Sequence, residues 1–327
     1  MSKRRNSIRT IETGLSDHPA VTAWRTIQAN GAEPARIAVL KDNQHSSVYR
    51  LDGIGRGGAS LIAKRSTLGS LLTERAVYEK VLAKLPARNL RCYGFLEHED
   101  AVSGWLFLED AGSECYSADL AEHRALAAKW LGATHASSAE LSEQCQLPGR
   151  EPVYFWKLLV DGTNRLRNSL SNSALSPENR EVVTAILSHL QVLADHWEKV
   201  EQHCERAPRT LVHGDLKSKN LRIRNFADGP VLFALDWEVA GWATPAVDLY
   251  FIDELELYLE TVRQTWPHLS LDDLQVLRNC GRFFRLVASV YWAASGLEQD
   301  WLDRTMRHLT LYCSRLDGQI RAAGWRD

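Results

Sequence analysis

The stretch from Leu211 to Asp248 restricts this chain more than any other part of it. It reads Leu211-Val212-His213-Gly214-Asp215-Leu216-Lys217-Ser218-Lys219-Asn220, then two short apolar runs, then Asp236. The runs, Leu221-Arg222-Ile223 and Val231-Leu232-Phe233-Ala234-Leu235, flank Asn225-Phe226-Ala227-Asp228-Gly229, which predicts a hairpin with a polar turn. Leu211-Val212 leads into a loop that carries Asp215. Pairing of the two strands brings Asn220 and Asp236 together, beside Asp215. Two oxygen-bearing side chains on adjacent backbone supports suit Mg²⁺, which takes oxygen ligands and keeps some of its waters. The third carboxylate, Asp215, is then placed to orient a hydroxyl and accept its proton. A lone Asp is ordinarily a surface charge or a cap, but that reading does not account for three acceptors in this order around one hairpin.

The first third of the chain reads as strands. Arg36-Ile37-Ala38-Val39-Leu40 and Val48-Tyr49-Arg50-Leu51 surround a polar turn, and Leu61-Ile62-Ala63-Lys64 follows a glycine-rich turn over Gly53 to Gly58. Leu71, Leu72, Val77, Tyr78, Val81 and Leu82 fall at helical spacing, which predicts one helix from Ser70 to Leu85, ended by Pro86. Cys92 to Leu96 and Trp105 to Leu108 are two more strands. After Asp110-Ala111-Gly112 the pattern turns helical. Ser117 is expected to cap a helix running to His135. Ser176-Pro177-Glu178 combines an N-cap, a first-turn proline and an early acid, and opens a helix with Val183, Ile186, Leu190 and Trp197 on one face. The chain from Glu254 onward is again mostly helical. The fold class expected is α+β: an N-terminal lobe (1–111) with a small antiparallel sheet and one helix, then a mostly helical C-terminal lobe (112–327).

The chain has 327 residues, enough for two lobes with separate cores, and 45% are hydrophobic. Its formal net charge of −2 argues against nucleic acid as a partner. Lys3, Arg4, Arg5 and Arg9 read as a solvated terminus with no apolar stretch behind it, so no signal peptide, membrane anchor or membrane partner is expected. The six cysteines show no CxxC or Cys/His metal spacing and read as reduced thiols of a cytoplasmic protein.

The residues Leu211 to Leu216, Asn220, Leu235-Asp236-Trp237-Glu238, Gly241, Pro245 and Asp248-Leu249 resemble the aminoglycoside phosphotransferase and choline kinase superfamily, a branch of the protein-kinase-like fold. Leu108 to Gly112 and Leu131-Gly132-Ala133-Thr134-His135-Ala136 extend the resemblance upstream. It implies a bilobal, kinase-like architecture with Asp215 as catalytic base, Asn220 and Asp236 as magnesium ligands, and Asp248 as a structural acid under the loop. It implies that Lys64 meets the α- and β-phosphates of ATP, with GTP as the alternative donor. Glu74, or failing that Glu79, would pair with Lys64. The backbone of Glu109 and Ala111 would meet the base, and Ser46 and Ser47 the phosphates. Lys217 is expected beside the transferring phosphate, as in protein kinases. His45 stands where relatives carry a small residue, a departure from the family's phosphate loop.

Only eleven residues separate Asp236 from Asp248, and neither DFG nor APE occurs, so there is no room for the activation segment of a protein kinase. The expected acceptor is a hydroxylated small molecule. The resemblance points first to an antibiotic such as an aminoglycoside, with resistance as the role. A metabolic kinase for choline, a sugar or homoserine is the alternative, and a nucleotide-binding pseudokinase the alternative of another class. The Tyr154-Phe155-Trp156 segment, the acids Glu254, Glu256 and Glu260, and Trp242, Trp292 and Trp301 are candidates for the acceptor side. The oligomeric state expected is monomer or homodimer.

Overall fold

The computed structural model describes residues 9–28, 32–43, 46–142, 144–298 and 302–326. In chain order the elements are β1 (Arg9–Ile11), α1 (Pro19–Ile27), β2 (Arg36–Asp42), β3 (Ser47–Asp52), β4 (Leu61–Thr67), α2 (Leu68–Ala76), β5 (Cys92–Glu97), β6 (Ser103–Glu109), β7 (Glu114–Cys115) and α3 (Ala121–Ser138). They continue with α4 (Pro152–Ser169), α5 (Pro177–Asp195), α6 (Trp197–Glu205), β8 (Thr210–Val212), β9 (Leu221–Phe226), β10 (Gly229–Ala234), β11 (Gly241–Ala243), α7 (Ala246–Leu249), α8 (Leu255–Val262), α9 (Leu271–Ala294) and α10 (Leu302–Ala322). The class is α+β. No helix among the described residues is long and apolar enough to cross a membrane.

Two compact units result. The first comprises Met1–Leu126, Glu143–Leu147 and Asp215–Ala240; the second comprises Ala127–Ser142, Pro148–Gly214 and Gly241–Asp327. This line differs from the expected cut after residue 111. The hairpin of β9 and β10 groups with the N-terminal segment because β9 also pairs with β7, antiparallel.

In the first unit, six antiparallel strands lie in the order β1-β2-β3-β4-β6-β5. Side chains alternate across a strand. On β4 and β6, Leu61, Ala63, Trp105 and Phe107 point into one apolar core with Leu15, Val21 and Trp24. Ile62, Lys64 and Leu108 fall on the opposite face, where they line a cavity. The core face needs a cover, and α1 supplies it: Trp24 lies 5.2 Å from the Phe107 ring. The reading of one helix and five strands for this region is therefore corrected to two α-helices and six strands among the described residues. His18 starts α1 by accepting from Ala20 N, with Pro19 in the first turn. Histidine is not among the preferred capping residues, so the sequence carries no strong signal for this helix start.

The helix expected from Ser70 to Leu85 begins at Leu68 and is not uniform. α2 passes into a π turn over Val77–Val81 and a 3₁₀ turn over Leu82–Lys84. Ser117 does not cap α3, which begins four residues later; its hydroxyl accepts from Asp119 N in a local turn. The glycine-rich residues 53–58 form the turn joining β3 to β4.

In the second unit, α4, α5, α9 and α10 enclose a core that includes Leu166, Ile186, Leu190, Val290, Leu309 and Leu316. Ser176 caps α5 by accepting from Asn179 N, and Ser270 with Asp273 forms a capping box on α9. The helix expected to run through Trp197 breaks at His196, and Trp197 starts α6 against Phe284. β8 and β11 pair, so the backbone entering the Asp215 loop is tied to the segment that leads into α7.

Candidate active site

Lys64 sits on the cavity face of β4, nearly buried, and a buried ammonium requires partners. Its Nζ donates to Glu74 Oε2 of α2 at 2.7 Å. It also contacts Asp236 Oδ1 and lies 3.9 Å from Glu238 Oε2. The Lys64 side chain is 8% exposed and that of Glu74 1%. Burial by itself would depress the Lys64 pKa, but Glu74 and then Asp236 outweigh it and hold the ammonium above its ordinary range. Glu79 is elsewhere, paired with Arg75 at 2.8 Å.

Asp236 follows β10 with φ of +70°, a left-handed conformation that a non-glycine residue adopts only when its surroundings impose it. The surroundings are specific. Leu235 N donates to Asn220 O at 2.8 Å, and Ala234 O accepts from Trp237 Nε1 at 3.1 Å and from Tyr78 OH at 3.5 Å. Tyr78 belongs to the π turn after α2.

The Asp215 loop is held by its own hydrogen bonds. Lys217 Nζ lies 2.7 Å from Asp215 Oδ1 and 2.9 Å from Oδ2. Asn220 Nδ2 donates to Asp215 O at 3.1 Å, which turns its Oδ1 the other way. The register Ala234↔Leu221 then sets Asn220 and Asp236 at one end of the hairpin. Among the described residues no three His, Cys, Asp or Glu side chains converge on a metal position. A site made of one amide and one carboxylate oxygen needs no such cluster, and two hard oxygens completed by water and phosphate suit Mg²⁺. The residues present fit that ion.

Within the second unit, Asp248 of α7 accepts from His213 N at 2.6 Å and from Gly214 N at 2.9 Å. A single buried carboxylate thus fixes the two peptides that precede Asp215. His135 Nε2 lies 3.6 Å from Asp248, and its Nδ1 is 2.8 Å from Tyr258 OH. Burial first, and Asp248 second, hold the Tyr258 phenol well above its ordinary pKa, so it stays a neutral partner.

The cavity under the sheet has a volume of about 570 Å³. Ser46, Lys64, Glu74, Glu109, Ala111, Asn220 and Asp236 all line it. The Ser46 hydroxyl is buried with no hydrogen-bond partner among the described residues. Ser47 is not on the wall; its hydroxyl donates to Asp42 at 3.0 Å. The Glu109 carboxylate pairs with Arg224 at 2.6 Å, leaving its backbone at the cavity edge. Gln44 and His45 lie outside the described residues, as do Lys3, Arg4, Arg5 and Trp301.

Sequence reasoning missed two neighbours of Asp236. Glu238 shares the Lys64 ammonium, and burial followed by Asp236 raises its pKa. Its spacing of two from Asp236 was the available signal. Tyr78 has no such signal, because only the π turn brings it to Ala234. The aromatic candidates for an acceptor wall are mostly core: Trp242 is buried, and Phe155 stacks on Phe284 at 4.4 Å. Trp292 is 60% exposed, and Glu256 and Glu260 are solvated.

Comparison with known proteins gives the family and the fold. The profile of the phosphotransferase enzyme family (APH) matches residues 36–268. No curated protein matches by sequence. Solved structures share the fold at low identity. A GDP complex of an aminoglycoside 2'-phosphotransferase-IIIa mutant superposes with a TM-score of 0.64 at 14% identity, over 91% of this chain and 97% of that one. A thermostable mutant of the aminoglycoside phosphotransferase APH(4)-Ia, solved with AMP-PNP and hygromycin B, gives 0.60 at 15% identity, over 92% and 98%. An ethanolamine kinase from Plasmodium vivax gives 0.55 at 16% identity, over 86% and 84%. The fold is therefore kinase-like, and the chain belongs to the phosphotransferase enzyme family as a small-molecule kinase.

Proposed function

We propose that this enzyme transfers the γ-phosphoryl group of ATP, or of GTP, to a hydroxyl of a small amine-bearing alcohol, and that Asp215 orients that hydroxyl. The observation that carries the reading is the Lys64 ammonium, held between Glu74 and Asp236 on the wall of a 570 Å³ cavity that Asn220 also lines. Lys64 presents a fixed positive charge to the phosphates. Ser46 adds a hydroxyl donor, and the backbone at Glu109 and Ala111 meets the base. Asn220 and Asp236 would hold Mg²⁺, which when bound offsets charge on the phosphate oxygens. Asp215 accepts the hydroxyl proton as the oxygen attacks. Lys217, on the Asp215 carboxylate, holds that group in place, and can turn to the transferring phosphoryl. Most of the acceleration comes from positioning and charge stabilisation.

Support for the nucleotide comes from related structures holding GDP or AMP-PNP. Support for the acceptor class comes from relatives named for aminoglycosides, choline and ethanolamine, which share a cationic nitrogen and a hydroxyl. An aminoglycoside is the first candidate and a metabolic amino alcohol the second. A panel of both classes, with sugars and homoserine, assayed by coupled ADP release, separates them; growth with and without antibiotic adds the cellular arm. Asp215→Ala should abolish transfer while ADP binding persists. Retained turnover in that variant would refute the role given to Asp215.

A further inference from the structure

A second cavity, of about 480 Å³, lies in the first unit; Arg56, Arg91, Arg224, Glu109, Asp110 and Gly112 are among its lining. Three guanidiniums reach it from separate places: the β3–β4 turn, the residue before β5, and the middle of β9. Arg224 is already committed, to Glu109 Oε1 at 2.6 Å and Asp110 O at 2.9 Å. Asp110 turns one carboxylate oxygen to Gly112 N at 2.9 Å. Arg56 and Arg91 differ: among the described residues neither guanidinium has an ion-pair or hydrogen-bond partner. With Arg224 and Glu109 cancelling, the lining carries two cations, Arg56 and Arg91, against one carboxylate, Asp110.

The support for Arg56 is ordered. Gly55 N donates to Ala59 O at 2.7 Å and Gly58 N to Gly55 O at 3.1 Å, so the turn closes on itself. A Cβ on Gly55 would stand 2.8 Å from Ala59 O, so this closure demands glycine there. The mechanism above uses neither Arg56 nor Arg91. Guanidinium forks match the paired oxygens of phosphate and carboxylate, which ammonium and neutral groups do not.

We propose that this cavity is a binding site for a small polyanion, recognised by Arg56 and Arg91, and separate from the nucleotide cavity, with which it shares only Glu109, Asp110 and Gly112 of its wall. The ligand carries at least two phosphate or carboxylate groups. Isothermal titration of the full chain with inorganic pyrophosphate, and separately with citrate, tests this. At least one should bind, and binding should survive Lys64→Met, which removes the cation of the nucleotide cavity. The double variant Arg56→Gln with Arg91→Gln should weaken it by about tenfold or more, as expected when charge-assisted hydrogen bonds are lost. Pyrophosphate alone binding identifies a phosphorylated ligand, citrate alone a polycarboxylate, and either result supports the site. No binding of either anion to the wild type, or equal binding by the double variant, overturns it. Binding that disappears with Lys64→Met but persists in the double variant places the anion in the nucleotide cavity and also overturns it. The nucleotide reading itself is tested apart from this, by ADP titration of the double variant, which should match the wild type.

Discussion

Replacing Lys64 with Met keeps the length of the stem and removes the charge that Glu74 and Asp236 share. Asp236 is 30% exposed, so water screens it and its loss of partner costs little. Glu74 is 1% exposed and has no such relief. Removing one partner of a buried pair costs about 3–5 kcal/mol, and with most of that falling on Glu74 the expected loss is near the low end, about 3 kcal/mol. Glu74→Gln is milder. Lys64 keeps Asp236, and one hydrogen bond to a charged group is weakened, for about 1–2 kcal/mol. In the double variant neither charge remains, so its loss should fall short of the sum by at least about 1 kcal/mol. Urea unfolding followed by tryptophan fluorescence measures all three. A Lys64→Met protein within about 0.5 kcal/mol of wild type, or strictly additive losses, would refute the reasoning. Turnover gives a second readout: Glu74→Gln should raise the KM for nucleotide, because Lys64 then leans toward Asp236.

Three further outcomes are expected. Asp236→Asn should raise the Mg²⁺ concentration needed for half-maximal rate, and an unchanged magnesium dependence would count against the site assigned to Asn220 and Asp236. Asp248→Asn puts an amide where two backbone N–H groups point, so about 2–3 kcal/mol of stability should be lost, with kcat falling more than nucleotide affinity in a side-by-side kinetic and ADP-binding comparison. Glu238 has a folded-state pKa raised chiefly by burial and then by Asp236. A raised pKa adds stability at low pH that is lost as pH climbs through it. Glu238→Gln should therefore stabilise the protein at pH 7, by under about 1 kcal/mol given its exposure, and the gain should vanish below pH of about 4. Thermal melts across pH would show it; a gain that grows on acidification would contradict the sign.

The chemistry-bearing hairpin is legible in the sequence because its signals are local. Strand alternation on either side of Asn225 to Gly229, and the fixed offsets of Asp215, Asn220 and Asp236, need no distant partner to be read. The sheet strands other than β1 are legible for the same reason, and so is the cap at Ser176. Helix α1 is not, because its start at His18 lacks a strong capping signal and its purpose is to cover a core face built mainly from residues far along the chain. Ser46 and Ser47 look equivalent as letters, yet Ser46 lines the cavity while the Ser47 hydroxyl donates to Asp42. Lys217 carries no hint in the sequence that its ammonium rests on Asp215.

The sequence by itself determined the reaction class: one motif, one hairpin and a gap too short for an activation segment. Only the tertiary structure decided which charges meet. Lys64 and Asp236 are 172 residues apart, and Arg224 meets Glu109 across 115. Such pairs depend on burial and long-range packing, which act on the folded surface and leave no period or spacing in the chain.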